Sequence, residues 1–205
     1  MAAPLFKKNT LEQTGFKLLN DGFIYSGINY KFEDVLVTGA YRSTLETKHL
    51  MIGSDFTHSI SIIFKMQTGE TVQVTEQPTW LSNSKLEKVE QIQNIFNIVS
   101  EKTFQNRVNK YLTQVEKQGF FEYAGWLFYP EQKKIIDNIK KRAYSIKTTT
   151  LLKGYGYIQV KSEADGIGTK INNYLISGYP VISTLENTDV FFALLKHFFD
   201  FEWKH

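Results

Sequence analysis

The 205-residue chain predicts a mainly β fold with α, in which short strands form a barrel or sandwich closed by a C-terminal helix, and it predicts that fold in duplicate. Three observations lead there. Short β-branched and aromatic runs alternate with turn residues. Apolar residues at spacings of three and four then follow the strands. Similar residues also recur in the same order a fixed distance apart. A composition of 42% hydrophobic, 15% aromatic and 22% charged residues is that of a folded chain, able to bury enough apolar surface to offset its conformational entropy.

The strands come first. Residues 16–20 and 23–25 flank Asp21 and Gly22, a strong hairpin cue between apolar runs. Residues 35–45 continue in β-forming types, and 59–64 and 71–75 flank a second hairpin turn over 67–70. Further along, 171–176 and 181–184 flank a turn over 177–180. No helix alternates with these strands, so a parallel α/β sheet is excluded as the expectation. Ser84 and Glu87 have capping-box spacing, in which hydroxyl and carboxylate satisfy each other's orphan amides. Leu86, Val89, Ile92, Phe96 and Val99 then line one face, and Phe104, Val108, Tyr111, Leu112 and Val115 keep the period. With neither glycine nor proline before Gly119, the expectation is one helix over 84–118, about 50 Å long at 1.5 Å per residue, with the polar step over Ser100 to Thr103 its weak point, where a second helix could be capped instead. Residues 189–199 form a second helix, apolar on most sides and therefore well buried.

The repeat is read at an offset of 103 residues. Gly22, Phe23, Ile24 and Tyr25 fall on Gly125, Trp126, Leu127 and Phe128. Phe32 falls on Ile135, Asp34 on Asp137, and Ala40 with Tyr41 on Ala143 with Tyr144. Gly15 and Phe16 meet Gly119 and Phe120 one residue out of step.

About seven strands closed by one helix resembles the bacterial pleckstrin-homology-like (PH-like) fold. The residues that carry the resemblance are Asp21 to Tyr25 at the turn, the segment from Tyr30 to Val35, and the hairpin before the helix. It implies a tail over 1–13, a first PH-like domain over 14–100, a helical bridge over 101–118 and a second PH-like domain over 119–205. It also implies binding rather than catalysis, of phosphoinositides, peptides or proteins, and the fold alone does not choose among them. Lipid-binding members carry basic residues at the first hairpin loop. Here that loop holds Asn20 and Asp21 in one copy and Tyr123 and Ala124 in the other.

The chemistry-bearing residues agree with a binding role. There is no cysteine, which removes thiolate metal sites and cysteine nucleophiles. The four histidines show no metal-binding spacing, and His197 reads as a packed or rim residue. Gly154 with Gly156 and Gly166 with Gly168 lack the continuation of a phosphate loop and read as bends. Glu33 and Asp34, if extended, point to opposite faces and cannot share a proton. Phe120, Phe121, Tyr123, Trp126, Phe128 and Tyr129 read as core rather than as a stacking platform. No enzyme activity and no cofactor are expected.

Charge is the uneven feature. Residues 1–100 hold 9 basic and 10 acidic groups, and residues 101–205 hold 15 and 11. The excess gathers at Lys133, Lys134, Lys140, Lys141 and Arg142, a candidate anion or partner site against the plainer reading of a solvated strand edge. A net charge of +3 gives nucleic acid no support. No run reaches the roughly 20 apolar residues of a bilayer span, and no secretory leader is seen. The expectation is therefore a scaffold of a bacterial-type cytoplasm with a protein partner. A peripheral binder of anionic lipid or phosphoinositide through the second domain is the alternative, and an enzyme with an unrecognised site the third.

Overall fold

The computed structural model describes residues 15–49, 53–76, 86–153, 156–164, 166, 169 and 180–201. The expected tail, Ser84 of the capping box, the strand over 171–176, and Gly154 and Gly168 lie outside them. Among the described residues the fold is mainly β with two helices, and the strand pairs are antiparallel. The chain divides into two compact units between Asn106 and Arg107.

In the first unit β1 (Phe16–Leu18), β2 (Gly22–Tyr25) and β3 (Ile28–Lys31) form a meander. A 3₁₀ turn over Phe32–Asp34 leads into β4 (Val35–His49), which pairs with β5 (Gly53–Met66), and β5 with β6 (Thr71–Glu76). Glu33 and Asp34 thus lie in a tight turn rather than on a strand, and Glu33 pairs with Lys31 at 3.3 Å. Alternation along the strands fills the core: Phe16, Phe23, Ile60, Ile62 and Phe64 are buried. Val89, Ile92, Ile95 and Val99 of helix α1 (Leu86–Gln118) close it.

Helix α1 runs unbroken through Ser100, as the absence of helix breakers requires. Its buried face differs from the expected one. Leu86 is exposed, Phe96 and Val108 are half-buried, and the stripe continues from Val99 through Thr103 to Arg107. Thr103 fits because its hydroxyl donates to the Val99 carbonyl at 2.8 Å, leaving no orphan polar group.

In the second unit β7 (Phe121–Tyr123), β8 (Trp126–Tyr129), β9 (Lys134–Asp137) and β10 (Arg142–Ser145) form a four-stranded meander. A second 3₁₀ turn, Ile146–Thr148, leads to β11 (Thr149–Lys153), β12 (Tyr157–Ser162), β13 (Val181–Ser183) and helix α2 (Thr188–Phe199). Val190, Phe191, Leu194, Leu195 and Phe199 of α2 are buried, whereas His197 is exposed. The helix is therefore one-sided rather than apolar all round. Phe121, Tyr123, Trp126 and Phe128 are core residues.

The backbone bonds that seat each meander correspond between units. The amide of Ser26 donates to the Gly15 carbonyl, and that of Asn138 to the Gly125 carbonyl. The amide of Phe32 donates to Asp21, and that of Ile146 to Lys133, each at 2.9 Å. These bonds align β1 with β8, β2 with β9 and β3 with β10, and the two 3₁₀ turns with each other. The separations are 110 to 114 residues, and β7 is left without a counterpart. At the offset of 103 residues β2 falls across β8 and the start of α1 on the start of α2, whereas other elements do not coincide. Phe32 in the turn would fall on Ile135 in β9, and Tyr41 of β4 on Tyr144 of β10.

The matched glycines show why. Gly125 has φ +78° and completes a two-residue turn with Ala124, whose φ is +49°. Gly22 is a strand residue, and a Cβ there would collide with the Tyr30 carbonyl oxygen. Gly15, at φ +70°, is the positional equivalent of Gly125.

Candidate functional site

The five basic residues occupy two turns at opposite ends of β9. Lys133 and Lys134 stand at its start, whereas Lys140, Lys141 and Arg142 follow its end, with Arg142 facing Asp137. Strand β9 runs four residues from Lys134 to Asp137, which sets its two ends about 10 Å apart. The run that is continuous in sequence is thus divided in space.

The turns also use part of the charge. Lys133 (φ +47°) sends its ammonium to the Phe198 carbonyl at the end of α2, 5.7 Å from the centre of the Phe199 ring. A cation there complements the negative end of the helix dipole. Lys134 sits over the Tyr129 ring, 5.9 Å from its centre. In the second turn the Asp137 carboxylate accepts the amides of Ile139 and Lys140 at 3.0 and 2.9 Å. Lys141 (φ +55°) donates to Asn138 at 2.8 Å. Lys140, Lys141 and Arg142 are exposed and adjacent, with Ile139 at 82% exposure beside them. Asp137, read only as a repeat match, organises this turn.

A second polar constellation lies inside the second unit and was missed from sequence. The Arg107 guanidinium, 1% exposed, forks onto both Asp189 oxygens at 2.8 and 2.7 Å and donates to Asn187 at 3.0 Å. Bidentate charge-assisted bonds are among the strongest polar contacts, and Asp189 in the first turn of α2 also suits the helix dipole. The Asn187 amide donates to the Tyr111 hydroxyl at 3.4 Å, and the Tyr123 hydroxyl to the Glu186 carbonyl at 2.5 Å. Burial raises the pKa of both phenols, so they remain protonated through the physiological range. The available signal was spacing: Arg107 lies eight residues after Val99 and four after Thr103, on the buried stripe.

A cleft of about 200 Å³ in the first unit is lined by Tyr25, Glu76, Lys88, Gln91 and neighbouring residues. Lys88 and Glu76 pair there at 3.7 Å. Among the described residues no group of three or more histidines and carboxylates is placed to hold a metal ion. No helix among them is long and apolar enough to cross a membrane. Compared with protein-family models, curated proteins and solved structures, the chain matches none.

Proposed function

We propose that the chain is a non-enzymatic binding or scaffolding protein made of two duplicated PH-like units, recognising a protein partner in the cytoplasm. The matched backbone bonds of Phe32 to Asp21 and Ile146 to Lys133 support the duplication. So does the shared order of three meander strands, 3₁₀ turn, three strands and helix. The preference for protein over lipid rests on one observation, the division of the basic residues between two turns. A headgroup needs converging cations, and here Lys133 is bonded to the end of α2 while Lys141 is tied to Asn138. The other reading, a peripheral binder of anionic lipid, draws on Lys140, Lys141 and Arg142 beside exposed Ile139.

Two assays on the full chain decide between them. Capture from native lysate is expected to yield a stoichiometric protein partner. Co-sedimentation with phosphatidylserine vesicles is expected to show little binding at physiological salt, where the Debye length is about 8 Å. Salt-resistant binding that disappears in Lys140→Glu/Lys141→Glu/Arg142→Glu would replace the protein reading with the lipid one.

A further inference from the structure

The turn that joins β9 to β10 is longer and more highly charged than its hairpin requires. Asp137 pairs with Arg142, so the connection spans four residues, Asn138 to Lys141. In the corresponding place of the first unit Tyr25 pairs with Ile28, and Ser26 and Gly27 alone make the connection, at φ +51° and +81°. Two residues at positive φ suit the twist of a hairpin and suffice for it. The second unit instead fills its turn with Ile139, Lys140 and Lys141, and Arg142 follows. All four are exposed, Ile139 at 82%. Lys141 adopts φ +55°, where glycine or asparagine is the usual residue.

The turn is also held in one shape. The Asn138 amide donates to the Gly125 carbonyl at 3.1 Å, and the Asp137 carboxylate accepts the Ile139 and Lys140 amides at 3.0 and 2.9 Å. The Lys141 ammonium donates to Asn138 Oδ1 at 2.8 Å. Ile139 lies over the neighbouring turn, where a Cβ built on Gly125 would stand 3.7 Å from its Cδ1. Asp137, the one acid between 137 and 142, is 5% exposed and directed at these amides, which leaves the outer surface cationic around an isoleucine. A surface fixed before contact loses little conformational entropy on binding. Carboxylates around an aliphatic side chain complement it. Stable attachment to a membrane takes two signals, and the other basic pair, Lys133 and Lys134, stands at the far end of β9. One isoleucine and three cations make a small surface that a single protein segment can cover.

We propose that the turn from Asn138 to Arg142 is where the protein partner docks, and that the partner presents an acidic segment with an aliphatic side chain that packs on Ile139. This rests on the protein-partner reading above and adds the place of contact and the chemistry of the partner.

Fluorescence anisotropy of the full chain with a labelled peptide of alternating glutamate and leucine tests it. Saturable binding is expected, weakening as added salt shortens the screening length. Lys140→Glu/Lys141→Glu/Arg142→Glu is expected to weaken it about tenfold or more, because like charges then oppose the peptide. Lys110→Glu/Lys117→Glu/Lys147→Glu, at exposed positions elsewhere in the second unit, changes the net charge equally and is expected to weaken it far less. Ile139→Ser leaves the charge unchanged and is expected to cost about fivefold against this peptide, and nothing against a peptide of glutamate and serine. Circular dichroism confirms that each variant is folded. Absence of binding, equal losses in the two triple variants, or indifference to Ile139→Ser would overturn the proposal. So would a partner captured from native lysate that the first triple variant retains as well as the wild type does, a result that leaves the protein reading standing. Salt-resistant sedimentation with phosphatidylserine vesicles that is lost in the first triple variant would assign the turn to lipid and remove both.

Discussion

In the first unit helix α1 is seated by hydrocarbon: Val89, Ile92, Ile95 and Val99 are buried, and the polar contact of Thr38 with Ser100 spans 3.4 Å. In the second unit the same helix presents Arg107, and the closing helix α2 begins at the carboxylate that Arg107 grips. The meanders differ too, because the second carries β7 and the first does not. The second sheets differ in the opposite sense. Strands β4 and β5 have 15 and 14 residues, against 5 and 6 in β11 and β12. In each unit the meander frame has a backbone bond into the first residue of its 3₁₀ turn, from Phe32 to Asp21 and from Ile146 to Lys133. A helix can be fastened to such a frame by apolar burial or by an ion pair, and the two modes fail differently.

The largest expected effect breaks the ion pair. Asp189→Ala leaves a guanidinium buried without its main carboxylate and is expected to cost about 3 kcal/mol, read from chemical denaturation. Replacing both partners by apolar residues, Arg107→Met with Asp189→Leu, is expected to recover much of it. Thr38→Ala in the first unit is expected to cost about 1 kcal/mol, because it deletes the neutral hydrogen bond with Ser100.

The glycines sharpen the comparison next. Gly22→Ala must displace the Tyr30 backbone and is expected to cost about 2 kcal/mol or more. Gly125→Ala meets only strain at positive φ, about 1 kcal/mol. Equal losses would return the two glycines to equivalent roles.

Alkaline pH probes the phenols near the ion pair. Burial raises the pKa of Tyr111 and Tyr123 above the ordinary value near 10. For a raised folded-state pKa the stabilisation is fully present below the unfolded value. It is lost as pH climbs from about 10 through the raised values. Stability measured from pH 8 upward is therefore expected to fall beyond about pH 10, and Tyr123→Phe to flatten that fall.

The smallest contrast lies within the basic run. Lys133→Ala removes a cation from the end of α2 and is expected to cost about 0.5 kcal/mol. Lys140→Ala, on an exposed turn, is expected to leave the melting temperature unchanged.

Local chemistry made the unbroken helix and the strands within 16–25, 35–45, 59–64, 71–75 and 181–184 legible, but not β3 or the strands from β7 to β12. Turn residues at 67–70 and the lack of helix breakers before Gly119 each act within a few residues. The different roles of Gly22 and Gly125 were not legible, because the two are alike in sequence for unlike reasons, close packing in one case and positive φ in the other. Bonds such as Phe32 to Asp21 are backbone bonds and leave no residue signature. Arg107 was overlooked because periodicity counts apolar side chains, whereas its stripe passes through Thr103 to a charge whose partner lies 82 residues away. The basic residues were found, but a linear run cannot show that a strand divides it.

The correspondence of the two meanders is tested most directly by nitrogen–carbonyl couplings through the hydrogen bonds, measured by NMR on deuterated protein. Couplings are expected from Phe32 to Asp21 and from Ile146 to Lys133, with those from Ser26 to Gly15 and Asn138 to Gly125 completing the frame. If instead Ile135 couples to Ala124, as the offset of 103 residues would require, or if only one unit shows the pattern, the two units are not built on one frame.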